Sequence, residues 1–433
     1  MARILGTGLN DILDATLLGF ANENNLIAGG AGDDVLVGGN GDDNLNGGTG
    51  IDDLAGGDGN DKYFVDNSSD TITEQSDEGT DIVFARGVNT YTLSSNVEYL
   101  FLSAGTLNGN GNSENNYIRG NSAGNIINGN DGNDFLDGRG GDDELNGGDG
   151  DDRLDGGNGS NTLNGGRGDD NYFVRSSSDT VNEDRNRGAD TLHLITTDYI
   201  LADEQFIENI ILVEVDPLNS IAPPSAMNVI ANGFSNNITG NSLNNLLRGE
   251  GGSDILNGGD GNDTLEGGRG RDTLLGGNGN DFLDGGRSGD ILNGGDGSDT
   301  LIGNRGQDTF IGDIGPNQID SMTGNSGKDT FILGSGNDIF YNDGVEGDSS
   351  TLDSDYAVIE DLFVSTRNSA DEIIVNTLGG TVQYLFTTLG SDTVISFNGT
   401  GSALGADSEV IALVKNATPA EVISQTTEVS GST

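Results

Sequence analysis

Residues 29–48 read GGAGDDVLVGGNGDDNLNGG, two nine-residue units of one pattern and the opening of a third. Each unit sets two glycines, a third glycine, an aspartate and one large apolar residue in the same register. The glycines permit positive-φ backbone that a side chain forbids, and they let carbonyl oxygens turn toward a common centre. The three residues around the apolar position read as a short strand that points one side chain inward. Turn, strand, turn, strand makes an 18-residue coil, so successive units lie on opposite sides and same-side neighbours are 18 positions apart.

Working outward, the glycine frame sorts the chain into three blocks. The first carries Asp34, Asp43, Asp52 and Asp61; the second Asp134, Asp143, Asp152, Asn161 and Asp170; the third Asp254, Asp263, Asp272, Asp281, Asp290, Asp299 and Asp308. Two positions after each comes a large apolar residue, for example Leu36, Leu45, Leu54 and Tyr63. Looser units with Asn25, with Asn116 and Asn125, and with Asn236 and Asn245 precede the blocks and read as caps with fewer ligands. The frame breaks after Asp308 around GDIGPNQIDSMTGNSG and returns at Asp329 and Asp338.

The segments opening YFVDNSSD and YFVRSSSD follow the first two blocks 109 residues apart, measured from Asp61 to Asp170. Their alternation of apolar and hydroxyl residues predicts short strands. The expected domains are repeat blocks at 1–65, 109–174 and 230–341, β-rich spacers at 66–108 and 175–229, and a β-rich C-terminal domain at 342–433. That domain contains the strand-like runs DYAVIEDLF, DEIIVNTLGG, TVQYLFTTLG, SDTVISFNG and SEVIALVKN, and the final ISQTTEVSGST reads as a flexible tail.

Asp and Glu number 71 against 18 Lys and Arg, there are 74 glycines, and the formal charge is −53. Scrambled, this composition reads as disordered; in strict period it reads as a repeat protein. Such a charge excludes nucleic acid and anionic membranes as partners, because both are bound through basic residues. Cations are the natural partner. With no cysteine there is no disulfide framework and no thiolate site. The N-terminal MARILGTGLNDILDATLLGFA lacks the charged n-region and uninterrupted apolar run of a cleaved signal. No stretch reaches the roughly 18 apolar residues of a membrane span.

Stacked coils repeat at about 4.8 Å. Two carboxylates at that spacing repel by roughly 1 kcal/mol in water and about 3 to 4 kcal/mol at an effective dielectric of 20. A column of them calls for a hard divalent cation held by carboxylates from two coils and by carbonyls of the glycine turns. Calcium suits this flexible oxygen cage; magnesium demands tight octahedral geometry and keeps its waters. The expected ligands are the block aspartates named above, together with Asp329 and Asp338. One site between each pair of same-side neighbours gives about ten calcium ions, with Asn161 weakening the site it shares with Asp143. One inward apolar residue in nine is a thin core for a glycine-rich chain, so folding is expected to be coupled to calcium. The lone histidine, His193 in DTLHLI, reads as a packing residue.

The units GGAGDDVLV, GGDGDDRLD, GGDGNDTLE and GGNGNDFLD resemble the glycine-rich nonapeptide of RTX, or haemolysin-type calcium-binding, proteins, over about half the chain. GGRSGDILN, with Ser288 and Gly289, departs from the pattern, as does Asn161. The resemblance implies an all-β fold, a right-handed parallel β-roll or calcium-bound β-solenoid. It also implies export by type I secretion machinery that reads an uncleaved C-terminal signal, and folding by calcium outside the cell. Family members carry activity in other domains, and this sequence has no HExxH pair, GxSxG elbow or Walker loop. The expected role is non-enzymatic: a secreted protein, structural or adhesive at the cell surface, without membrane insertion. The alternative is an accessory module or enzyme acting on cell-surface polysaccharide, similar to the repeat modules of alginate epimerases. Glu208, Asp355 and Glu360 are its candidate carboxylates, set against a reading as solvated surface.

Overall fold

The computed structural model describes residues 2–183, 188–196, 198–213, 227–312, 320–327 and 329–332, and beyond these the backbone of strands alone. Its described residues form strands and turns without a helix. They divide into two compact units, 1–196 with 204–207, and 197–203 with 208–433.

In the first unit the period of 18 appears directly as strand register. Leu26–Ala31 pairs in parallel with Asn44–Thr49, and Val35–Asn40 with Asp53–Asp58. Consecutive nine-residue units therefore alternate between two sides, and each side is a parallel sheet: a β-roll, as the spacing predicts. Parallel pairing carries one side from Arg3–Leu5 to Thr191–Leu194. The opposite side is interrupted after Thr71–Ile72 and resumes at Thr90–Thr92.

Within VLVGGN at 35–40, Leu36 and Gly38 face inward and Val35 and Val37 are half-buried. The expected three-residue strand is here six residues long. Its ladder pairs Val37 with Ala55, skips the first glycine, and resumes with Gly39 against Gly57. The second glycine, Gly39, rejoins the ladder at a φ of 124°, a conformation that side chains resist. Phe135–Asp137 and Arg153–Asp155 keep the shorter form.

Packing follows the register. Ile27, Leu45, Tyr63, Val83, Leu100, Ile118, Leu136, Leu154, Tyr172 and Leu192 are successive partners and all are fully buried. Each such side chain stabilises the fold by roughly 1.5 to 3 kcal/mol relative to exposure. The spacer residues Val83 and Leu100 belong to this same column. Their steps from Tyr63 to Val83 and from Val83 to Leu100 replace a spacing of 18 with 20 and 17. The coil lengthens or shortens in its turns and the core position stays in line.

The second unit repeats this construction. Ile238, Leu256, Leu274, Leu292, Phe310 and Phe331 form one buried column, and Val229, Leu247, Leu265, Leu283, Leu301 and Met322 the other. The expected terminal strands are present as backbone. Glu372–Thr377 adds in parallel to Thr330–Leu333, and Ala357–Ile359 to Ser321–Thr323. Gln383–Leu389, Asp392–Asn398 and Ser408–Val414 form an antiparallel meander. The tail expected to be flexible contains a strand, Thr426–Ser430, parallel to Glu372–Thr377; its TTEVS sequence is rich in β-branched residues, which favour a pleated strand.

Candidate metal centres along the aspartate columns

Each block aspartate sits at the end of a glycine turn and points into the roll, and its two oxygens do different work. Oδ1 accepts a hydrogen bond from the backbone N–H of the column residue one coil earlier, an aspartate within a block and an asparagine where the looser units lead in, as Asn236 does for Asp254. Asp254 N–H donates to Asp272 at 2.8 Å, Asp272 to Asp290 at 2.9 Å, Asp290 to Asp308 at 2.9 Å and Asp308 to Asp329 at 2.9 Å. On the other side Asp263 donates to Asp281 at 2.7 Å and Asp281 to Asp299 at 2.8 Å. In the first unit Asp34 donates to Asp52, Asp43 to Asp61, Asp134 to Asp152, and Asp152 to Asp170, at 2.6 to 2.8 Å.

Oδ2 has no such partner. In every block aspartate from Asp34 to Asp308 it is buried without a hydrogen bond, although an unpaired buried charge is among the costliest arrangements in a protein. The space in front of it exists because the first glycine of the turn has no side chain. A Cβ on Gly267 would lie 2.6 Å from Asp272 Oδ2 and 2.8 Å from the carbonyl oxygen of Gly285. A carboxylate oxygen and main-chain carbonyls thus converge on a glycine-walled space, a donor set that fits a hard divalent cation.

Burial dominates the electrostatics. It raises the carboxyls of Asp61, Asp134, Asp152, Asp170, Asp254 and Asp263 to about 7, and those of Asp290 and Asp299 to about 8. The N–H donor opposes this rise, and the neighbouring carboxylate of the column adds to it, as Asp272 and Asp308 do for Asp290.

Asn161 keeps the backbone role, its Oδ1 accepting from Asp143 N–H at 3.0 Å. Its amide nitrogen turns toward Asp179 at 3.1 Å and toward Gly156, where an aspartate offers Oδ2. Despite the departure at Ser288, Asp290 holds the column geometry, and Ser288 takes the positive φ of 84° that glycines take in other turns. Asp338 lies outside the described residues. His193 is half-buried and stacks on Phe173 at 4.5 Å between ring centres, with Nε2 3.0 Å from Asn171 Oδ1, a packing role as expected.

The columns continue through residues that nonapeptide counting missed. Asp70 caps Asp52 N–H and Asp179 caps Asn161 N–H, each 18 positions on inside a spacer. Extending the period past the last glycine pair would have found them. Asp81, Asp190 and Asp320 do the same for Asp61, Asp170 and Asp299, but at offsets of 20, 20 and 21, hidden by insertions. A second ladder uses the residue before each aspartate: Asn115 accepts from Asn133 N–H, Asn133 from Asp151 and Asp151 from Asp169, at 2.8 to 3.0 Å. The recurrent DD and ND dipeptides are its signature.

The outer face of the first unit carries a row of rings. Tyr99 meets Tyr117 edge-on at 5.7 Å, Tyr117 meets Phe135 at 4.8 Å, and the Arg153 guanidinium lies 4.6 Å from Phe135 and 3.9 Å from Phe173. Tyr99, Tyr117, Phe135 and Arg153 line an open groove with Glu98 and Asn133.

The profile of the RTX calcium-binding nonapeptide repeat matches residues 21–72, 110–181 and 230–344 in overlapping segments, more than half of the chain. The chain belongs to this RTX family. Calcium is the ion that the family's repeat binds, in agreement with the oxygen-lined turns. No match is found among curated proteins. Among solved structures, the extracellular lipase LipA from Serratia marcescens is similar over 81% of this chain at 16% identity, with a TM-score of 0.14. The RTX chain spans 45% of that protein's length.

Proposed function

We propose that this RTX protein is a secreted, non-enzymatic scaffold that folds on calcium outside the cell and acts as structural or adhesive material at the cell surface. The carrying observation is the column of buried Oδ2 atoms without hydrogen-bond partners, repeated from Asp34 to Asp308. Calcium held by the block aspartates and by Asp329, with carbonyls of the facing glycines, neutralises these oxygens. About ten ions fill the blocks when each bridges two coils.

A metal-free sample titrated with calcium and followed by far-UV circular dichroism tests this directly. A cooperative gain of strand signal near the roughly 0.1 to 1 mM range of extracellular calcium modules, absent with magnesium, is expected. A full strand spectrum in chelator would overturn it.

Export through type I secretion machinery, the secreted localisation and the domain limits at 65, 108, 174, 229 and 341 belong to the same proposal. Removing residues after 370 is expected to abolish secretion; unchanged secretion would remove the C-terminal signal from it. The groove of Tyr99, Tyr117, Phe135 and Arg153 favours a glycan as the surface partner, since aromatic faces and a guanidinium offer apolar contact and hydrogen-bond donors side by side. Incubation with cell-surface polysaccharide is expected to give binding without turnover, and weaker binding for Tyr117→Ala. Product formation would favour the polysaccharide-modifying alternative.

A further inference from the structure

The ends of the first two repeat blocks hold a side-chain cluster that the nonapeptide does not contain. In the regular turn at Gly38, the oxygen facing Asp43 is the main-chain carbonyl of Gly56, 2.7 Å from where a Cβ on Gly38 would stand. Gly56 lies thirteen positions after Asp43. Thirteen positions after Asp61 the chain has Glu74, and thirteen after Asp170 it has Glu183. A glutamate therefore stands at the register position of the glycine that closes an ordinary turn. Gly56 N–H donates to Glu74 Oε1 at 3.1 Å, across one coil.

A third carboxylate completes each cluster. Asp81 accepts from Asp61 N–H at 2.8 Å, and Asp190 from Asp170 N–H at 2.9 Å. One carboxylate oxygen from each of Asp61, Glu74 and Asp81 lies within 4.8 Å of the others, and the same holds for Asp170, Glu183 and Asp190. Asp61 is fully buried, Glu74 is 5% exposed and Asp81 1% exposed. Independently of the clustering, Asp61 Oδ2, Glu74 Oε2 and Asp170 Oδ2 are buried without a hydrogen-bond partner. Tyr63 and Tyr172 donate their hydroxyls to Glu74 and Glu183. All four positions recur at the same offset of 109 residues, so the arrangement exists twice.

We infer that Asp61, Glu74 and Asp81, and again Asp170, Glu183 and Asp190, form two block-end sites for a hard divalent cation, distinct from the repeat turns in using three side-chain carboxylates. Affinity in oxygen cages rises with the number of charged ligands. The block ends therefore bind calcium more tightly than the turns, and each fixes the last coil of its block onto the segment that follows.

The test counts bound calcium in the full-length protein by calorimetry and uses terbium as a luminescent substitute, because Tyr63 and Tyr172 adjoin the clusters and sensitise an ion held there. In the double variant Glu74→Gln with Glu183→Gln, the expected result is two fewer bound calcium ions, loss of the tightest binding phase, and loss of most tyrosine-sensitised terbium emission. The double variant Tyr63→Phe with Tyr172→Phe is expected to keep its calcium count and lose the sensitised emission. An undiminished calcium count in the glutamine variant would overturn the sites, and so would unchanged terbium emission in the phenylalanine variant, which decides the matter if the glutamine variant does not fold. Calcium binding in the turns of the parent protein, with neither variant showing its effect, would leave the repeat-turn reading standing and remove this one.

Discussion

A column aspartate divides its carboxylate between two tasks, and substitutions can separate them. Oδ1 of Asp272 caps Asp254 N–H, while Oδ2 faces the glycine-walled space. Asp272→Asn retains an acceptor and removes charge, so its expected effect is a higher calcium midpoint. Asp272→Ala also strands a buried N–H, at a cost of about 1 to 3 kcal/mol. Both changes at Asp272 or Asp281 touch two sites in the proposed arrangement, whereas Asp254→Ala at the block end touches one; equal shifts of the calcium midpoint would contradict bridging between same-side neighbours. The glycines are tested in the same titration. Gly267→Ala places a methyl group where Asp272 Oδ2 and the Gly285 carbonyl converge, and a several-fold higher midpoint is expected. Gly233→Ala meets nothing within 4 Å and should leave the midpoint in place; if Gly267→Ala behaves alike, the space is not a cation site.

The 18-residue coil was legible because one period governs backbone, core and ligand together: the Asp254, Asp272, Asp290 column and the Leu256, Leu274, Leu292 column follow from the same glycine frame. Legibility ended where the coil changed length. Asp81 and Asp190 sit two residues off the period, and Glu74 and Glu183 replace glycines, so a search for glycine pairs passes over all four. The spacers lack the paired glycines of the repeat, yet Val83 and Leu100 continue the core column. The coil also sets an acid response. Burial holds Asp254 and Asp263 near 7 and Asp290 and Asp299 near 8, above the roughly 3.9 of an unfolded aspartate. A raised folded-state value favours the fold when the group is protonated, so this contribution is full below about pH 4 and is lost as pH rises through 7 to 8. Chelated protein is therefore expected to gain strand signal as pH falls from 8 toward 4. With calcium present the sign reverses, because protons compete for the ligands, and the calcium midpoint should rise over the same interval. A chelated protein equally unstructured at pH 8 and pH 4.5 would contradict the first half of this prediction.

Across the whole molecule, a charge of −53 sets a repulsion that acts in two places. The proposed ten or so calcium ions would cancel roughly 20 of these charges, leaving the folded protein strongly acidic with a repulsive surface. The buried columns are different in kind: their carboxylates are removed from water, where mobile ions screen them much less. Sodium chloride and calcium should then separate the two effects. At about 1 M salt the Debye length is roughly 3 Å, and chelated protein is expected to contract in small-angle scattering as its exposed charges are screened, while its circular dichroism stays that of an unordered chain. Adding calcium at that same salt concentration should restore the strand signal, at a somewhat higher midpoint. If salt alone brought back the full strand spectrum, surface repulsion would be the whole obstacle to folding, and the buried Oδ2 atoms from Asp34 to Asp308 would need no ion to hold the coils together.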